Sequence, residues 1–372
     1  MSGPAEEIRE AVRRFAAERL APNAARWDRE KIFPKEALKG LAEMGLYGVA
    51  IPEEWGGAGM DYTALAVACE EISAGDCATA TVVAVNNLVA GILSGYGNQN
   101  QKESFLKPLA QGRMLGAFAL TEPQVGSDAS AITTRAERKG NEYVLNGVKQ
   151  FITSGKNADV AVVFAVTDKG AGKKGISAFL VPTSTPGYVV ARIEEKLGQR
   201  ASDTAQNVFE NCRTEHLLGQ EGAGYRIALA NLESGRINVA AQATGVARAA
   251  LEAAIAYTRE RKSMGKALIE HQAVNFRLAD MATQVEAARQ LYLHAARLRD
   301  AGQPCLKEAS MAKLFASEMA EKVCSDAIQV HGGYGYVSDF PVERFWRDVR
   351  VTKIYEGAND IQRMVIGREL QG

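Results

Sequence analysis

The hydrophobic period changes twice along these 372 residues, and the two changes bound what the chain can become. Up to about residue 112 the apolar residues recur at helical spacing: Ile8, Val12, Phe15 and Leu20, then Ala37, Leu38, Leu41 and Met44. Positions 62–72 predict another helix, and the very apolar 79–94 a helix that sits deep. Pro34, the run IPEEWGGAGM at 51–60 and GYGN at 95–98 break these segments. From about 113 to 225 the pattern shortens to alternating runs such as ADVAVVFAVTD and GISAFLVPT, separated by Gly or Pro. That pattern predicts a small β-domain of roughly six to eight antiparallel strands. Asn146-Gly147 reads as a hairpin turn, because both residues tolerate positive φ. From about 226 onward the period is helical again, with long stretches at 225–262, 270–301 and 306–330 and a last helix after 355–359. Long helices with short links predict an antiparallel bundle. The expected organisation is therefore α+β and multidomain: an all-α part at 1–112, a β-domain at 113–225 and a helical bundle at 226–372. Ligands favour such junctions between layers.

Charge and composition remove several function classes. Lys plus Arg and Asp plus Glu each number 44, so no net basicity points to nucleic acid or an anionic membrane. Five cysteines, an odd number without a C-x-x-C pair, suit buried thiols in a reducing compartment rather than a disulfide framework. His216, His271, His294 and His331 are scattered without H-E-x-x-H spacing, so no metal is expected. The segment MSGPAEEIREAVRRF is an amphipathic helix pattern with acidic residues, unlike a signal or transit peptide, and no run of about 18 apolar residues occurs. A cytoplasmic location is the expectation.

Three polar loops stand out. LTEPQVGSDAS at 120–130 offers Thr121, Ser127 and main-chain N–H groups near Gly126 to a phosphate or a polar ring edge; it also reads as a tight turn with Ser127-Asp128 capping a short helix. In QFITSG at 150–155, Phe151 and Thr153 share parity and one strand face, which suits a flat heterocycle or simply a core Phe beside a surface Thr. In KIYEGANDIQRMVIGREL at 353–370, Glu356 follows an apolar pair just ahead of a helix expected near Asn359. Desolvation there would raise its pKa toward the range of a general base; the plainer role is an acid complementing a helix dipole.

Taken together, these segments resemble the flavin-dependent acyl-CoA dehydrogenases over nearly the whole chain. The segments that carry the resemblance are TEPQVGSD at 121–128, QFITSG at 150–155, GQEGAGYRIALANLESGR at 219–236, ERKSMGK at 260–266, EHQAV at 270–274, QVHGGYGY at 329–336 and IYEGANDIQR at 354–363. The pattern is nearest the short-chain members. The resemblance implies a helical N-terminal domain, a middle antiparallel β-barrel-like domain and a C-terminal four-helix bundle, assembled as a homotetramer, a dimer of dimers.

The resemblance also implies FAD as cofactor. Phe118, Leu120, Thr121, Gly126 and Ser127 would contact the flavin and its pyrophosphate, and Phe151, Ile152 and Thr153 would flank the ring system. Arg261, Ser263, Gln272, Gln329, Gly332 and Gly333 would hold the ADP half across a subunit interface, with Ala358 and Asp360 also near the cofactor. Ala358 replaces a frequent Thr, and Met264 stands where Phe is common. For substrate, Ser127, Glu233 and Arg236 would line the CoA channel, and Gln242, Tyr355 and Gly357 the acyl end.

Glu356 occupies the position of the family's base, which in some relatives lies instead at the position of Gly235. The implied reaction removes the α-proton of a short acyl-CoA at Glu356 while the β-hydride passes to flavin N5, giving a trans-2-enoyl-CoA. Gln242 and Thr352 would close the acyl pocket, favouring about four carbons, straight or 2-methyl-branched. The implied electron acceptor is an electron-transferring flavoprotein. Alternatives within the same fold are an oxygen-using oxidase, another thioester-processing enzyme, or a non-enzymatic DNA-binding member.

Overall fold

The computed structural model describes residues 3–371. Helical spacing in the first part becomes α1 (Pro4–Phe15), continuing through a π-turn at Ala16–Leu20 into α2 (Ala21–Glu30), then α3 (Lys35–Glu43), α4 (Tyr62–Gly75) and α5 (Cys77–Tyr96). Asp61 caps α4 by accepting the Ala64 N–H at 2.7 Å. Asp76 ends α4 and starts α5, accepting the Thr79 N–H at 2.8 Å. By length and composition α5 could cross a membrane, but 78% of its apolar window is buried inside the protein.

The middle part holds β1 (Gly116–Ala119), β2 (Arg135–Lys139), β3 (Glu142–Thr153), β4 (Val160–Val166), β5 (Ile176–Pro182), β6 (Tyr188–Ile193), β7 (Thr204–Thr214) and β8 (Leu217–Leu218). They form one sheet in the order β6-β7-β3-β2-β4-β5-β8, with β1 joined to β4. Most pairs are antiparallel, as expected, but β4 runs parallel to β1 and touches β2 in parallel at Arg135 and Val166. The continuous apolar run of β4 has a physical cause. Val160, Val162 and Phe164 pack with Leu88, Val89 and Ile92 of α5, while Ala161, Val163 and Ala165 pack with Leu145, Ile152 and Phe209. Both faces are covered, so alternation disappears.

The expected hairpin at Asn146-Gly147 is corrected by the structure. The two-residue turn is Gly140-Asn141, between the paired Lys139 and Glu142, with Gly140 at φ 65°. Asn146 and Gly147 lie inside β3 at a bulge. A Cβ at Gly147 would sit 2.5 Å from Thr134 Oγ1, and Asn146 Oδ1 accepts the Asn211 N–H at 2.8 Å. The dipeptide serves close strand packing rather than chain reversal.

The last part comprises α6 (Gly224–Glu260), α7 (Gln272–Asp300), α8 (Leu306–His331), α9 (Val342–Val349) and α10 (Asn359–Glu369). One apolar core joins it to the first part, uniting Leu20, Ile72 and Val83 with Val246, Tyr292 and Val323. Within that core, Glu70 and Glu71 of α4 are buried and neutralised. Arg248 of α6 reaches both carboxylates, Arg289 of α7 binds Glu70 at 2.8 Å, and Arg13 of α1 binds Glu71 at 2.9 Å.

Candidate active site

Glu356 stands on the turn between the 3₁₀ segment Arg350–Lys353 and α10, in the left-handed region at φ 53°. A non-glycine residue held there costs on the order of 1–2 kcal/mol. The residue is half-buried, and its Oε2 is sealed from solvent without a hydrogen-bond partner. Helix α6 passes directly opposite at Gly235. Burial pushes the Glu356 carboxyl up to about 7, while the Arg236 guanidinium and the Lys313 ammonium pull it the other way. An unpartnered carboxylate that gains a proton near neutrality is suited to take one from a weak carbon acid. Among the described residues the Glu356 main-chain N–H donates to no protein acceptor.

The charged groups that act on this carboxylate come from two helices, Arg236 of α6 and Lys313 of α8. Arg236 of α6 is buried; its Nη1 donates to Ser310 Oγ at 3.1 Å and its Nε has no partner. Glu233, one turn earlier and half-buried, accepts from the Cys305 thiol at 3.2 Å and from Arg299 at 3.4 Å. Gly357, at φ 88°, continues the turn beside Glu356.

Beneath the turn lies a closed ring of hydrogen bonds. Tyr355 Oη donates to Gln242 Oε1 at 2.6 Å, and Gln242 Nε2 donates to Thr81 Oγ1 at 2.6 Å. Thr81 donates to Gln199 Oε1 at 2.6 Å, and Gln199 Nε2 returns to Tyr355 Oη at 3.4 Å. Thr352 is buried and bonded to the Val349 carbonyl. Asn86 and Asn87 bind main chain at Tyr47, Gly116, Leu46 and Val49, so they act as fasteners between layers.

The β-domain approaches the same place. The loop 194–203 carries Gln199 to Tyr355 and then Asp203, whose carbonyl accepts the Ser154 N–H at 3.1 Å at the end of β3. There Phe151 is 61% exposed and held at φ 59°, where β3 bulges; Thr153 is half-buried and Ile152 is turned into the sheet core. A large aromatic ring held in a left-handed conformation and offered outward on a strand is a strained arrangement of the kind found at ligand sites. The loop after β1 is fastened to it: Gln150 N–H donates to the Thr121 carbonyl and Lys149 Nζ to the Leu120 carbonyl, both at 2.9 Å. Phe118 packs on Phe164, Leu120 is buried and Thr121 half-buried, while Gly126 and Ser127 are exposed, with open space where a Gly126 side chain would be. Ser127 does not cap; Asp128 caps the short Ala129–Ala131 turn.

Glu122 and Lys149 escaped the reading of the sequence. Both are buried, with Lys149 Nζ 2.9 Å from Glu122 Oε1. Glu122 also accepts the main-chain N–H groups of Thr133 and Thr134, at 2.7 and 2.9 Å. Burial works to raise its carboxyl, but Lys149 and the Thr134 main chain outweigh it and hold it at about 2. This ion pair shapes the loop that presents Thr121, Gly126 and Ser127. A charged residue two positions before Phe151, in a strand that packs into a core, was the available signal.

A second surface gathers the remaining cofactor candidates. Arg261 ends α6, Gln272 begins α7, and Gln329, Gly332 and Gly333 end α8; all are exposed, as is Ser263 in the hairpin between α6 and α7. Tyr257 stacked on His331, with centroids 4.3 Å apart, and His271 Nε2 against the Ser263 carbonyl at 3.1 Å bring these ends together. A Cβ at Gly332 or Gly333 would meet open space. Ala358 lies half-buried beside Glu356, and Asp360 is exposed and paired with Arg363. The outward Phe151, the sealed and unpartnered Ser154 Oγ and the open glycine loops fit a flat ring with an attached dinucleotide such as FAD. Among the described residues no cluster of His, Cys, Asp and Glu could hold a metal, and the five cysteines are free and buried.

Known proteins resemble this chain along its whole length. The family descriptions "Acyl-CoA dehydrogenase, N-terminal domain", "middle domain" and "C-terminal domain" match residues 4–113, 117–212 and 222–371. The mitochondrial short-chain specific acyl-CoA dehydrogenase of Rattus norvegicus is 46% identical over 98% of this chain and 89% of its own length. The butyryl-CoA dehydrogenase structure from Megasphaera elsdenii superposes with a TM-score of 0.98 at 40% identity, covering 100% of this chain and 99% of that one. A chain in a structure described as the electron transferring flavoprotein of Acidaminococcus fermentans has a TM-score of 0.98 at 44% identity, with 100% and 98% coverage. With three domain matches in order along the chain, this chain is a member of the acyl-CoA dehydrogenase family, FAD-dependent oxidoreductases.

Proposed function

We propose that the chain dehydrogenates a short acyl-CoA of about four carbons, straight or 2-methyl-branched, to the trans-2-enoyl-CoA. The observation that carries this reading is the sealed, unpartnered Oε2 of Glu356 on a turn held against α6. Glu356 takes the α-proton, and its own main-chain N–H steadies the thioester oxygen as negative charge develops there. FAD, when bound, supplies the two-electron acceptor for the β-hydride. Phe151 and Thr153 would flank its ring, the Glu122–Lys149 pair would hold the loop beside it, and Arg261, Gln329, Gly332 and Gly333 would hold its far end. Glu233 and Arg236 lie toward the CoA side of the base.

The ring of Tyr355, Gln242, Thr81 and Gln199 closes the acyl end. A long alkyl tail entering it would strip buried amides of their partners, a loss of about 1–3 kcal/mol for each group. The names of the rat short-chain enzyme and of the Megasphaera butyryl-CoA dehydrogenase support the chain length. The Acidaminococcus structure supports an electron-transferring flavoprotein as acceptor. A homotetramer would complete the second surface at Arg261 and Gly332.

The test is anaerobic mixing of the yellow holoenzyme with a panel of straight and branched acyl-CoA thioesters. Butyryl-CoA is expected to bleach the flavin fastest. Glu356→Gln is expected to keep FAD and lose bleaching; bleaching at the wild-type rate in that variant refutes the assignment of the base.

A further inference from the structure

The ammonium of Lys313 has no role in the scheme above. It belongs to α8, in register with the buried Ala309, Ala316 and Ala320, and is itself fully buried. Removing an ammonium from water costs several kcal/mol unless charge and hydrogen bonds answer it. Its two acceptors are neutral: Nζ donates to the Gly357 carbonyl and to Asn359 Oδ1, each at 2.9 Å. Burial lowers its pKa to about 7, and the field that works to keep it charged is that of the Glu356 carboxylate.

Both bonds fall on the turn that carries the base. Glu356 and Gly357 are successive left-handed residues. Gln362 Nε2, from α10, donates to the carbonyls of both, at 3.3 and 2.7 Å. Lys313 takes the Gly357 carbonyl from α8, and Ser317 braces Asn359 from the same helix through a 3.0 Å bond from Asn359 Nδ2. The strained turn is thus clamped between two helices, and one jaw of the clamp is an amine that can carry a positive charge.

We propose that Lys313 is a positioning residue for the catalytic base, fixing the Glu356–Gly357 turn from α8 and facing its carboxylate with a cationic group. The proposal rests on the reading of Glu356 as base. The charged groups that face Glu356 are Arg236 from α6 and Lys313 from α8, while α10 presents the neutral Gln362 and the turn itself the neutral Tyr355 phenol. Arg236 is bonded to Ser310 and touches nothing on the turn through any hydrogen bond among the described residues. Lys313 therefore joins the electrostatic role to the mechanical one.

The experiment measures flavin bleaching by butyryl-CoA in single turnovers of the FAD-loaded enzyme across the pH range. It compares wild type with Lys313→Met, Lys313→Arg and Glu356→Gln. In Lys313→Met the rate midpoint is expected to move alkaline by about one pH unit and the neutral-pH rate to fall about tenfold or more, with KM little changed. Lys313→Arg, which restores the charge, is expected to bring the midpoint back. An unmoved midpoint in Lys313→Met beside an inactive Glu356→Gln overturns the role of Lys313 alone. An active Glu356→Gln overturns the base assignment and this role with it. If Lys313→Met does not load FAD, the Glu356 carboxyl band is followed by infrared difference against Glu356→Gln in the cofactor-free proteins. There, unchanged proton affinity overturns the proposal and raised affinity supports it.

Discussion

Gly235 and Glu356 are fitted to each other: a side chain at 235 would place its first carbon 2.3 Å from Glu356 Oε2 and 2.9 Å from its carboxyl carbon. The carboxylate fills the volume that the missing Cβ leaves. Gly235→Ala is therefore expected to push the carboxylate out of place and to slow flavin bleaching by at least about tenfold while FAD remains bound. Stopped-flow absorbance with a parallel count of bound flavin checks this, and a wild-type rate in the variant contradicts it.

The raised proton affinity of Glu356 sets a pH dependence whose sign follows from its cause. Only the ionised form accepts a proton, so bleaching is expected to be half-maximal near pH 7 and to fall about tenfold per unit on the acid side. In the cofactor-free protein the same shift acts on stability. The folded state holds this proton to higher pH than the unfolded chain, so stability declines as pH rises through the window between the ordinary carboxyl value of 4.5 and about 7. Glu356→Gln is expected to raise the melting temperature above that window and to leave it unchanged below. Thermal unfolding at the two extremes measures the difference.

The buried pair of Glu122 and Lys149 predicts an asymmetry. Lys149→Met leaves a desolvated carboxylate and is expected to cost about 3–5 kcal/mol, with loss of FAD. Glu122→Gln with Lys149→Met removes both charges and is expected to be milder than Lys149→Met alone. Chemical denaturation of the wild type and the two variants, read with flavin content, decides whether the charge or the mere bulk matters.

The hydrogen-bonded ring below Tyr355 predicts specificity. Gln242→Ala opens room but unpairs Tyr355 and Thr81, so it is expected to lower stability by about 1–3 kcal/mol. The ratio of kcat/KM for hexanoyl-CoA to that for butyryl-CoA is expected to rise by about tenfold. A ratio that stays constant would place the acyl end elsewhere.

Much of the fold was legible because helices and strands carry different periods. The alternation of the middle segment and the long helical stretches after residue 226 mark the layers without any tertiary information. The hairpin was misplaced because Asn-Gly suits a turn and equally suits a bulged strand where another chain segment presses close; Thr134, distant in sequence, decided between them. The parallel contacts of β4 were hidden for a related reason, since an apolar strand covered on both faces reads alike in either direction.

For the site, the amino-acid sequence alone determined that a carboxylate follows an apolar pair and precedes a glycine and a helix, and that Phe151 and Thr153 stand two residues apart in a segment of strand character. These are local facts of spacing and residue type. Only the tertiary structure decided that Oε2 would be sealed without a partner, that Gly235 would make room for it, and that Lys313 would clamp its turn. Lys313, Gly235, Glu122 and Lys149 act through desolvation and close contact, which depend on segments far apart in the chain. A lysine in register with buried alanines marks a buried charge, but not which carboxylate that charge will face.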